Sequence, residues 1–279
     1  MPPRDAGARQ SSFGDVAREV VRAQGGGRFE WDGMTLATLF QPVYCVRRGI
    51  PVGDEALLRA YGRNGQPVRA RELFDSLDRA ARVRLDWTCR ALHLRNYAVV
   101  DPGDRNLFLN VHPAALVDDP NGGREFADLV RFYGLAPESV FLEVLETDCG
   151  GEHRLTAAIT AHRKHGFSIA MDHFGQGRSN FDRIVAVRPK LVKIDRSLLR
   201  EALGDTQARR MLPSLVDMLK DTGAEVAVKG VENARDALAS IEAGAGYLQG
   251  FHLGAPTRSP GDEALTGQLI RSARRLAAA

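Results

Sequence analysis

Short apolar segments alternate with amphipathic segments along the chain from Thr35 onward. The apolar segments are rich in β-branched residues, which is typical of buried strands, and the segments between them have the periodicity of helices. Eight such predicted strands with helices between them indicate an α/β fold, and specifically a TIM-like (β/α)8 barrel. Arg47, Arg48 and Gly49 form a predicted hairpin turn between the first two strands, so we expect an antiparallel first strand.

The same pattern sets the boundaries of the elements. We predict strands at residues 36–46, 52–60, 107–111, 140–145, 167–171, 191–194, 226–228 and 247–251. Predicted helices span residues 12–23, 69–96 in two pieces, 126–132, 155–165, 207–221, 232–243 and 262–278. Pro213 lies inside one of these helices and predicts a kink or a break there, because proline removes a backbone donor.

Length and composition agree with one large domain. The chain has 279 residues, of which 44% are hydrophobic, and an α/β barrel takes about 250 residues. Residues 1–33 differ from the rest, because their ends are rich in Gly, Pro and Arg. We expect a partly disordered leader there, with a short helix at residues 12–23 that docks on the barrel. The barrel domain is predicted to span residues 34–279.

Charge and cysteine content exclude several classes of protein. The net charge is +3, from 38 basic and 35 acidic residues, which gives no argument for direct binding of nucleic acid. The three cysteines are widely spaced and form no CxxC motif, which speaks against a disulfide framework or a zinc cluster and favours a cytoplasmic location. No apolar run approaches the ~18 residues of a membrane span, so we expect no membrane association.

The stretch from Phe167 to Asn180 combines a strand with a glycine-rich loop. Residues 167–171 form a predicted buried strand, Asp172 and His173 follow it, and Gly-Gln-Gly comes next at 175–177. Because catalytic groups of an α/β barrel lie where strands end and loops begin, Asp172 is a candidate metal ligand beside a phosphate site. The alternative is an aspartate that caps the following helix, and this stretch alone does not decide between the two.

Polar residues occur in or at the end of seven different predicted strands. A barrel brings such positions together around one mouth. The oxygen-bearing side chains among them suit Mg²⁺ or Mn²⁺ better than zinc. Each residue taken alone could be a surface or capping residue, whereas the set across strands favours one site. The residues are Glu55, Asn110, Glu143, Asp172, Lys193, Lys229 and Gln249.

A series of motifs in this chain resembles the EAL domain family, in family order and at family-like spacing, from Phe40 to Pro256. The motifs are FQPV at 40–43, EAL at 55–57 followed by Arg59, FLNVHP around Asn110, LEVLE at 142–146, MDHFGQG at 171–177, LVKIDRS at 191–197, KGVEN at 229–233 and QGFHLGAP at 249–256. The resemblance implies a TIM-like barrel that hydrolyses cyclic di-GMP to linear pGpG, using two divalent cations and a metal-activated water.

The resemblance also implies a role for each matching residue. Lys193 matches the lysine near the attacking water, and Gln249 matches the glutamine in the same centre. Arg59 matches an arginine that contacts a phosphate of the dinucleotide, and Glu146 a glutamate that orders the loop after the metal-binding aspartate. The matched ligands of one cation are Glu55, Asn110, Glu143 and Asp172, and the further ligand-binding matches are Gln41, Leu57, Asp195 and Glu232.

Two positions depart from the family pattern. The family usually has two aspartates where this chain has Asp172 and His173, and a glutamate where this chain has Lys229. Both missing carboxylates serve the second cation, and their replacement changes the local charge from two negatives to one positive. One charge pair at ~4 Å is worth roughly 4 kcal/mol at an effective dielectric constant of ~20, so we expect the second metal site to be lost. Two-metal phosphodiester hydrolysis needs both ions.

The loop after Asp172 departs from the family as well. The usual family sequence DFGTGYSS appears here as HFGQGRSN at 173–180, with bulky polar changes at Gln176 and Arg178. Since this loop couples metal binding to dimerisation in the family, we do not expect the normal coupling here.

These departures leave three hypotheses for the function. The first is a degenerate, non-hydrolytic EAL domain that keeps one Mg²⁺ or Mn²⁺ at most. It would act as a receptor for cyclic di-GMP or as a regulator of gene expression or signalling, for example by repressing virulence or motility genes. The second is a working phosphodiesterase in which His173 ligates Mn²⁺. The third is an interaction module that binds a protein partner without nucleotide.

The partners implied are cyclic di-GMP, a regulated protein and a second copy of the chain in a homodimer. Direct DNA binding is not expected, because no helix-turn-helix is apparent outside the helices of the barrel. For Lys229 we hypothesise that its ammonium group replaces the second cation and pairs with Asp172. The alternative is a lysine that turns out to solvent.

Overall fold

The computed structural model describes residues 12–23, 26–100, 103–145, 152–176 and 181–259. The strands are β1 (Arg28–Trp31), β2 (Met34–Cys45), β3 (Ile50–Tyr61), β4 (Pro67–Val68), β5 (Asn106–Val111), β6 (Val140–Leu145), β7 (Ser168–Phe174), β8 (Leu191–Ile194), β9 (Glu225–Val228) and β10 (Tyr247–Leu248). The helices are α1 (Phe13–Arg22), α2 (Ala70–Asp75), α3 (Arg79–Val99), α4 (Pro113–Val117), α5 (Arg124–Phe132), α6 (Glu152–Lys164), α7 (Phe181–Val187), α8 (Arg196–Gly204), α9 (Thr206–Asp221) and α10 (Ala234–Glu242), with a 3-10 turn at Pro137–Ser139.

Eight of the strands close into a barrel. Strand β3 and strands β5 to β10 run parallel to one another. Strand β2 pairs antiparallel with both β3 and β10 and so closes the ring. Strands β1 and β4 pair with β2 and β3 and lengthen that hairpin. The predicted TIM-like barrel with an antiparallel first strand is thereby confirmed.

Burial explains why the sequence signals of the parallel strands are continuous apolar runs. Strand β8 is buried at every position from Leu191 to Ile194, as expected for a parallel strand that is covered on both faces. The helices lie between the strands, and among the described helices none is both long and apolar enough to cross a membrane.

Strands β7 and β10 end at residues other than those predicted from the sequence. Strand β7 continues through Asp172 and His173 to Phe174, so both residues lie in the strand and not after it. Strand β10 ends at Leu248, and Gln249 follows it. Strand β1 was not predicted, because only Phe29 of its four residues is buried and the apolar alternation is weak. The helix predicted at residues 262–278 lies outside the described residues.

The sequence predicts a kink or a break at Pro213, and the structure shows no break there. Helix α9 runs from Thr206 to Asp221 with the proline inside it. Its buried face contains Leu212, Val216 and Leu219 on either side of the proline. We attribute the continuity to the packing of this face, which offsets the backbone hydrogen bond that proline cannot donate.

Helix α1 packs into the main hydrophobic core, although it belongs to the segment predicted as a leader. Ser12 caps its first turn in a capping box, and Phe13 is 1% exposed. The Phe13 ring makes edge contacts with the rings of Trp87 and Phe126, at centroid distances of 6.3 and 5.2 Å. At the other end of α1, the Arg95 guanidinium donates to the backbone carbonyl of Val20 at 2.7 Å. This segment therefore contributes to the stability of the barrel.

We expect Phe13→Ala to lower the free energy of unfolding by about 3–5 kcal/mol, because it removes a buried aromatic ring between two others. Val21→Ala is the matched control on the same helix, since Val21 is 36% exposed. Urea unfolding of both variants measures the difference. A loss below about 1 kcal/mol for Phe13→Ala would mean that α1 is not part of the cooperative unit.

Candidate functional site

Inward-pointing side chains alternate along each barrel strand, so residues two apart line successive layers of the interior. The lower layer is apolar. The layer above it, toward the carboxyl ends of the parallel strands, is polar and takes one residue from, or directly after, each barrel strand; we call it the polar ring. The lower layer contains Val43, Gly53, Phe108, Phe141, Ala170, Leu191, Ala227 and Tyr247. The polar ring contains Gln41, Glu55, Asn110, Glu143, Asp172, Lys193, Lys229 and Gln249.

The apolar layer closes the barrel beneath the polar ring. The rings of Phe108 and Phe141 stack at a centroid distance of 4.7 Å. Gly53 makes room for them, because a Cβ atom at this position would lie 2.5 Å from Cε2 of Phe108. Lys193 Nζ lies 4.9 Å from the centroid of Phe108. The charges of the ring therefore face hydrocarbon below, and this low-dielectric floor strengthens their mutual interactions.

Glu55, Glu143 and Asp172 form the acidic part of the ring. All three are buried, and they offer oxygen atoms that lie within 4.8 Å of one another. Asn110 lies beside them and donates from Nδ2 to Glu55 Oε1 at 2.9 Å. Oε2 of Glu143 is buried and has no hydrogen-bond partner among the described residues. A buried carboxylate oxygen without a partner, beside two further carboxylates, suits a hard divalent cation, so this donor set fits one Mg²⁺ or Mn²⁺.

Lys193 neutralises part of this acidity. Its fully buried Nζ lies 2.8 Å from Glu55 Oε2 and also contacts Glu143. Burial alone would lower the pKa of Lys193, but the charges of Glu143 and Glu55 outweigh burial and raise it. Burial would raise the pKa of Glu55, but the charges of Lys193 and Lys229 hold it well below the usual range. Burial and the charge of Glu55 raise the pKa of Glu143 to about 8.

Lys229 points into the mouth and not to solvent. Its Nζ donates to Asp172 Oδ2 at 2.7 Å and lies 3.6 Å from Glu55 Oε2. Burial would lower the pKa of Lys229, but the charges of Glu55 and Asp172 outweigh burial and raise it, so the amine is protonated. An ammonium group has no lone pair to offer a metal.

The position beside Asp172 therefore does not fit a second divalent cation. Three carboxylates and two ammonium groups give the ring a formal charge of −1 when every group is ionised. One dication changes that to +1, and a second would leave a large positive charge in a buried site. Lys229 also contacts the carboxylate oxygen that such a cation would need.

His173 and Gln176 both bind Asp195. His173 has a left-handed backbone conformation with φ 57, and its Nδ1 lies 3.0 Å from Asp195 Oδ2. Gln176 Nε2 donates to the same oxygen at 3.1 Å. Ser197 donates to Oδ1 of Asp195 from its backbone and its hydroxyl, at 2.8 and 2.7 Å. Burial would raise the pKa of Asp195, but the hydrogen bonds from Ser197 and His173 outweigh it and lower the pKa. Asp195 thus connects His173 and Gln176 to the start of α8, with both oxygens already engaged.

The remaining candidates lie above the ring. Leu57 and Arg59 follow Glu55 along β3 and are half buried, and Arg59 Nη1 donates to the carbonyl of Leu58 at 3.0 Å. Glu232 is exposed and pairs with arginines of α8. Glu146 lies outside the described residues. The structure thus brings the metal-binding and catalytic candidates together, and places these ligand-binding candidates around them.

A cavity of about 200 Å³ opens beside the ring. Gln41, Lys229 and Gln249 contribute to its wall, and so do Arg196 and Phe251, which the sequence reasoning missed. The signal that could have found Phe251 is the motif QGFHLGAP, which contains it. Its side chain is 66% exposed. Arg196 lies in the motif LVKIDRS, but it begins helix α8 and belongs to no strand.

Comparisons with known proteins agree with these motifs. The family model described as EAL domain matches residues 31–256. The chain is 28% identical over 150 residues to the probable cyclic di-GMP phosphodiesterase PdeA of Escherichia coli, covering 53% of this chain and 20% of that protein. It is 29% identical over 156 residues to the cyclic di-GMP phosphodiesterase RocR of Pseudomonas aeruginosa, covering 54% of this chain and 38% of that protein.

A solved structure with the same fold is that of the Bacillus subtilis YkuI protein, with an EAL domain, in complex with cyclic di-GMP and calcium. It matches with a TM-score of 0.75 at 21% identity, covering 87% of this chain and 61% of that one. At this identity the likeness shows the fold. The chain spans well under half the length of the two phosphodiesterases above.

We expect cation binding to release a proton from Glu143. The pKa of Glu143 is about 8, and a carboxyl group must be ionised to ligate a metal, so Mn²⁺ should bind about tenfold or more weakly at pH 6.5 than at pH 8.5. Titration calorimetry in two buffers with different ionisation enthalpies measures both the affinity and the protons released. Glu143→Gln should bind Mn²⁺ weakly and without this pH dependence, and Asp104→Asn, in an exposed turn, is the control. Equal affinity of the unaltered protein at both pH values would contradict the assignment.

Proposed function

The chain belongs to the EAL domain family, and we propose that it binds cyclic di-GMP at the barrel mouth without hydrolysing it. The observation that carries this proposal is the contact of 2.7 Å between Lys229 Nζ and Asp172 Oδ2. It fills the place beside Asp172 that a second cation would need. Such a protein reports the concentration of the nucleotide and does not lower it, so its role is that of a receptor or regulator.

The mouth has the groups that a cyclic dinucleotide requires. Arg59 offers a guanidinium for charge-assisted hydrogen bonds to a phosphate. Gln249 Oε1 is buried and has no hydrogen-bond partner among the described residues, so an acceptor is left for a ligand or a cation. The exposed ring of Phe251 borders the cavity and can stack on a base, a contact worth roughly 1–3 kcal/mol. Two phosphodiesterases named for cyclic di-GMP are among the relatives of the chain.

The absence of hydrolysis follows from the composition of the ring. When bound, a pair of divalent cations activates the attacking water and stabilises the departing oxygen. The donor set of Glu55, Asn110, Glu143 and Asp172 suits one cation. Lys193 contacts Glu55 Oε2 and Glu143 Oε1, and Lys229 contacts Asp172 Oδ2, so these three oxygens are already paired with ammonium groups. Substrate can bind to such a ring, but the second half of the catalytic apparatus is missing.

The regulator would act through a protein partner, and its output would be gene expression or signalling, for example repression of virulence or motility genes. A working phosphodiesterase is the alternative. One observation favours it: His173 Nε2 lies 3.5 Å from Asp172 Oδ2, close enough for the imidazole to join a metal site after a small movement.

We expect no significant formation of pGpG from cyclic di-GMP with Mg²⁺ or Mn²⁺, because the second cation has no carboxylate ligands of its own. Chromatography of an overnight reaction measures the product. Glu55→Ala serves as the control for contaminating activity. Product that forms with the unaltered protein and disappears in this control would establish the phosphodiesterase and refute the proposal.

Arg59→Ala should weaken cyclic di-GMP binding at least tenfold, since a charge-assisted hydrogen bond is worth roughly 1.5–3 kcal/mol. Arg63→Ala is a matched control, because Arg63 is an exposed arginine just beyond the same strand. Calorimetry of the three proteins gives the dissociation constants. Unchanged affinity in Arg59→Ala would place the nucleotide elsewhere.

A further inference from the structure

We infer that Lys229 is a built-in cation for phosphate binding, so that the mouth takes up a phosphodiester anion without a divalent metal at the second position. This inference rests on the proposed function and adds its metal requirement. It concerns the ammonium group itself and the wall of the cavity that this group faces.

The position of Lys229 excludes a second divalent cation at Asp172 Oδ2. Its Nζ lies 2.7 Å from Asp172 Oδ2 and 3.6 Å from Glu55 Oε2. A second cation ligated by Asp172 Oδ2 would stand about 2.0–2.6 Å from that oxygen, in the space that the ammonium group occupies. The lysine and a second cation at this oxygen are therefore alternative occupants of one position. The lysine is tethered to the chain and cannot be removed by a chelator.

The ammonium group of Lys229 has N–H donors that no described residue accepts from. It carries three N–H bonds, and among the described residues Asp172 accepts the one hydrogen bond found, because Glu55 is too distant. The side chain is 17% exposed and lines the cavity of about 200 Å³ together with Gln41 and Gln249. Charge on a group that is held in place and faces a cavity can bind an anion with little reorganisation.

The charge of the ring supports the same conclusion. With every group ionised the ring has a formal charge of −1, whereas a glutamate in place of Lys229 would make it −3. A ring with a charge of −3 repels a phosphate until metal ions are bound. The lysine removes most of that repulsion and supplies an attractive charge at short range.

A simpler role for Lys229 is to neutralise Asp172 inside the barrel, with no contact to ligand. The two roles differ in what the loss of the charge does to binding. A purely internal lysine could be exchanged for glutamine at a cost in stability alone. A phosphate-binding lysine also determines the affinity for nucleotide in the absence of metal.

The test is calorimetric titration of the full chain with cyclic di-GMP, first with EDTA and then with Mn²⁺. We expect dissociation constants for the unaltered protein that agree within about threefold in the two buffers. Lys229→Gln should bind at least tenfold more weakly in EDTA, the loss expected for one charge-assisted contact. Lys220→Gln makes the same charge change on the outer helix α9 and should bind as the unaltered protein does.

A second measurement does not depend on nucleotide. The double variant His173→Asp, Lys229→Glu should bind about two Mn²⁺ per chain where the unaltered protein binds one at most, and its nucleotide binding should require Mn²⁺. Lys229→Arg keeps the charge and covers the case in which Lys229→Gln does not fold; it should retain binding in EDTA.

The outcomes separate the two proposals. Nucleotide binding by the unaltered protein that EDTA abolishes would overturn the role of Lys229 and leave the receptor function intact. The same holds if Lys229→Gln folds and binds normally in EDTA. No binding in either buffer would overturn the receptor function, and the inference with it. Two Mn²⁺ bound per unaltered chain would overturn the exclusion of the second metal.

Discussion

Charge neutralisation inside the barrel is the constraint on which the site depends. The polar ring lies on a floor of hydrocarbon, and an ionised side chain there loses several kcal/mol of hydration unless an opposite charge is in contact with it. Glu55 and Asp172 accordingly each contact a lysine. Three carboxylates with two ammonium groups have a formal charge of −1 when all are ionised, and one dication already reverses it. The charge of the ring is thus a consequence of the residues that the eight strands contribute.

The reversed strand β2 gives the mouth its asymmetry. Strands β2 and β3 pair from Cys45↔Ile50 up to Thr35↔Tyr61, so this hairpin continues well beyond the ring. Arg59 follows Glu55 by four residues on β3, and the alternation of side chains puts both on one face of the hairpin. The Arg59 guanidinium above the ring and the Lys229 ammonium group within it therefore lie at two different depths in the mouth. Two separated cations suit a ligand with two phosphate groups better than a compact anion.

Much of this site follows from the sequence, because a barrel converts the period of two into layers. The seven candidates in or after the strands, from Glu55 to Gln249, all lie in the polar ring. The pairing inside the ring did not follow, since it depends on side-chain reach: nothing local assigns Lys193 to Glu55 or Gln176 to Asp195. The end of β7 was misplaced because the apolar run stops at Met171, whereas the strand resumes its pairing at Phe174 after an irregularity that includes the left-handed His173. Helix α9 has no break at Pro213, which we attribute to tertiary packing that overrides the local propensity of proline.

The two departures from the family pattern form one physical unit, although 56 positions separate them in the chain. Asp172 is the shared element: the His173 backbone N–H donates to its Oδ1 and Lys229 donates to its Oδ2. With a glutamate at 229, Asp172 would need a metal ion, and an aspartate at 173 would help to hold it. With Lys229 in place, an aspartate at 173 would add a negative charge with no metal to bind. A histidine there binds Asp195 instead. Both changes therefore act on the same carboxylate, and under the proposed function they act together.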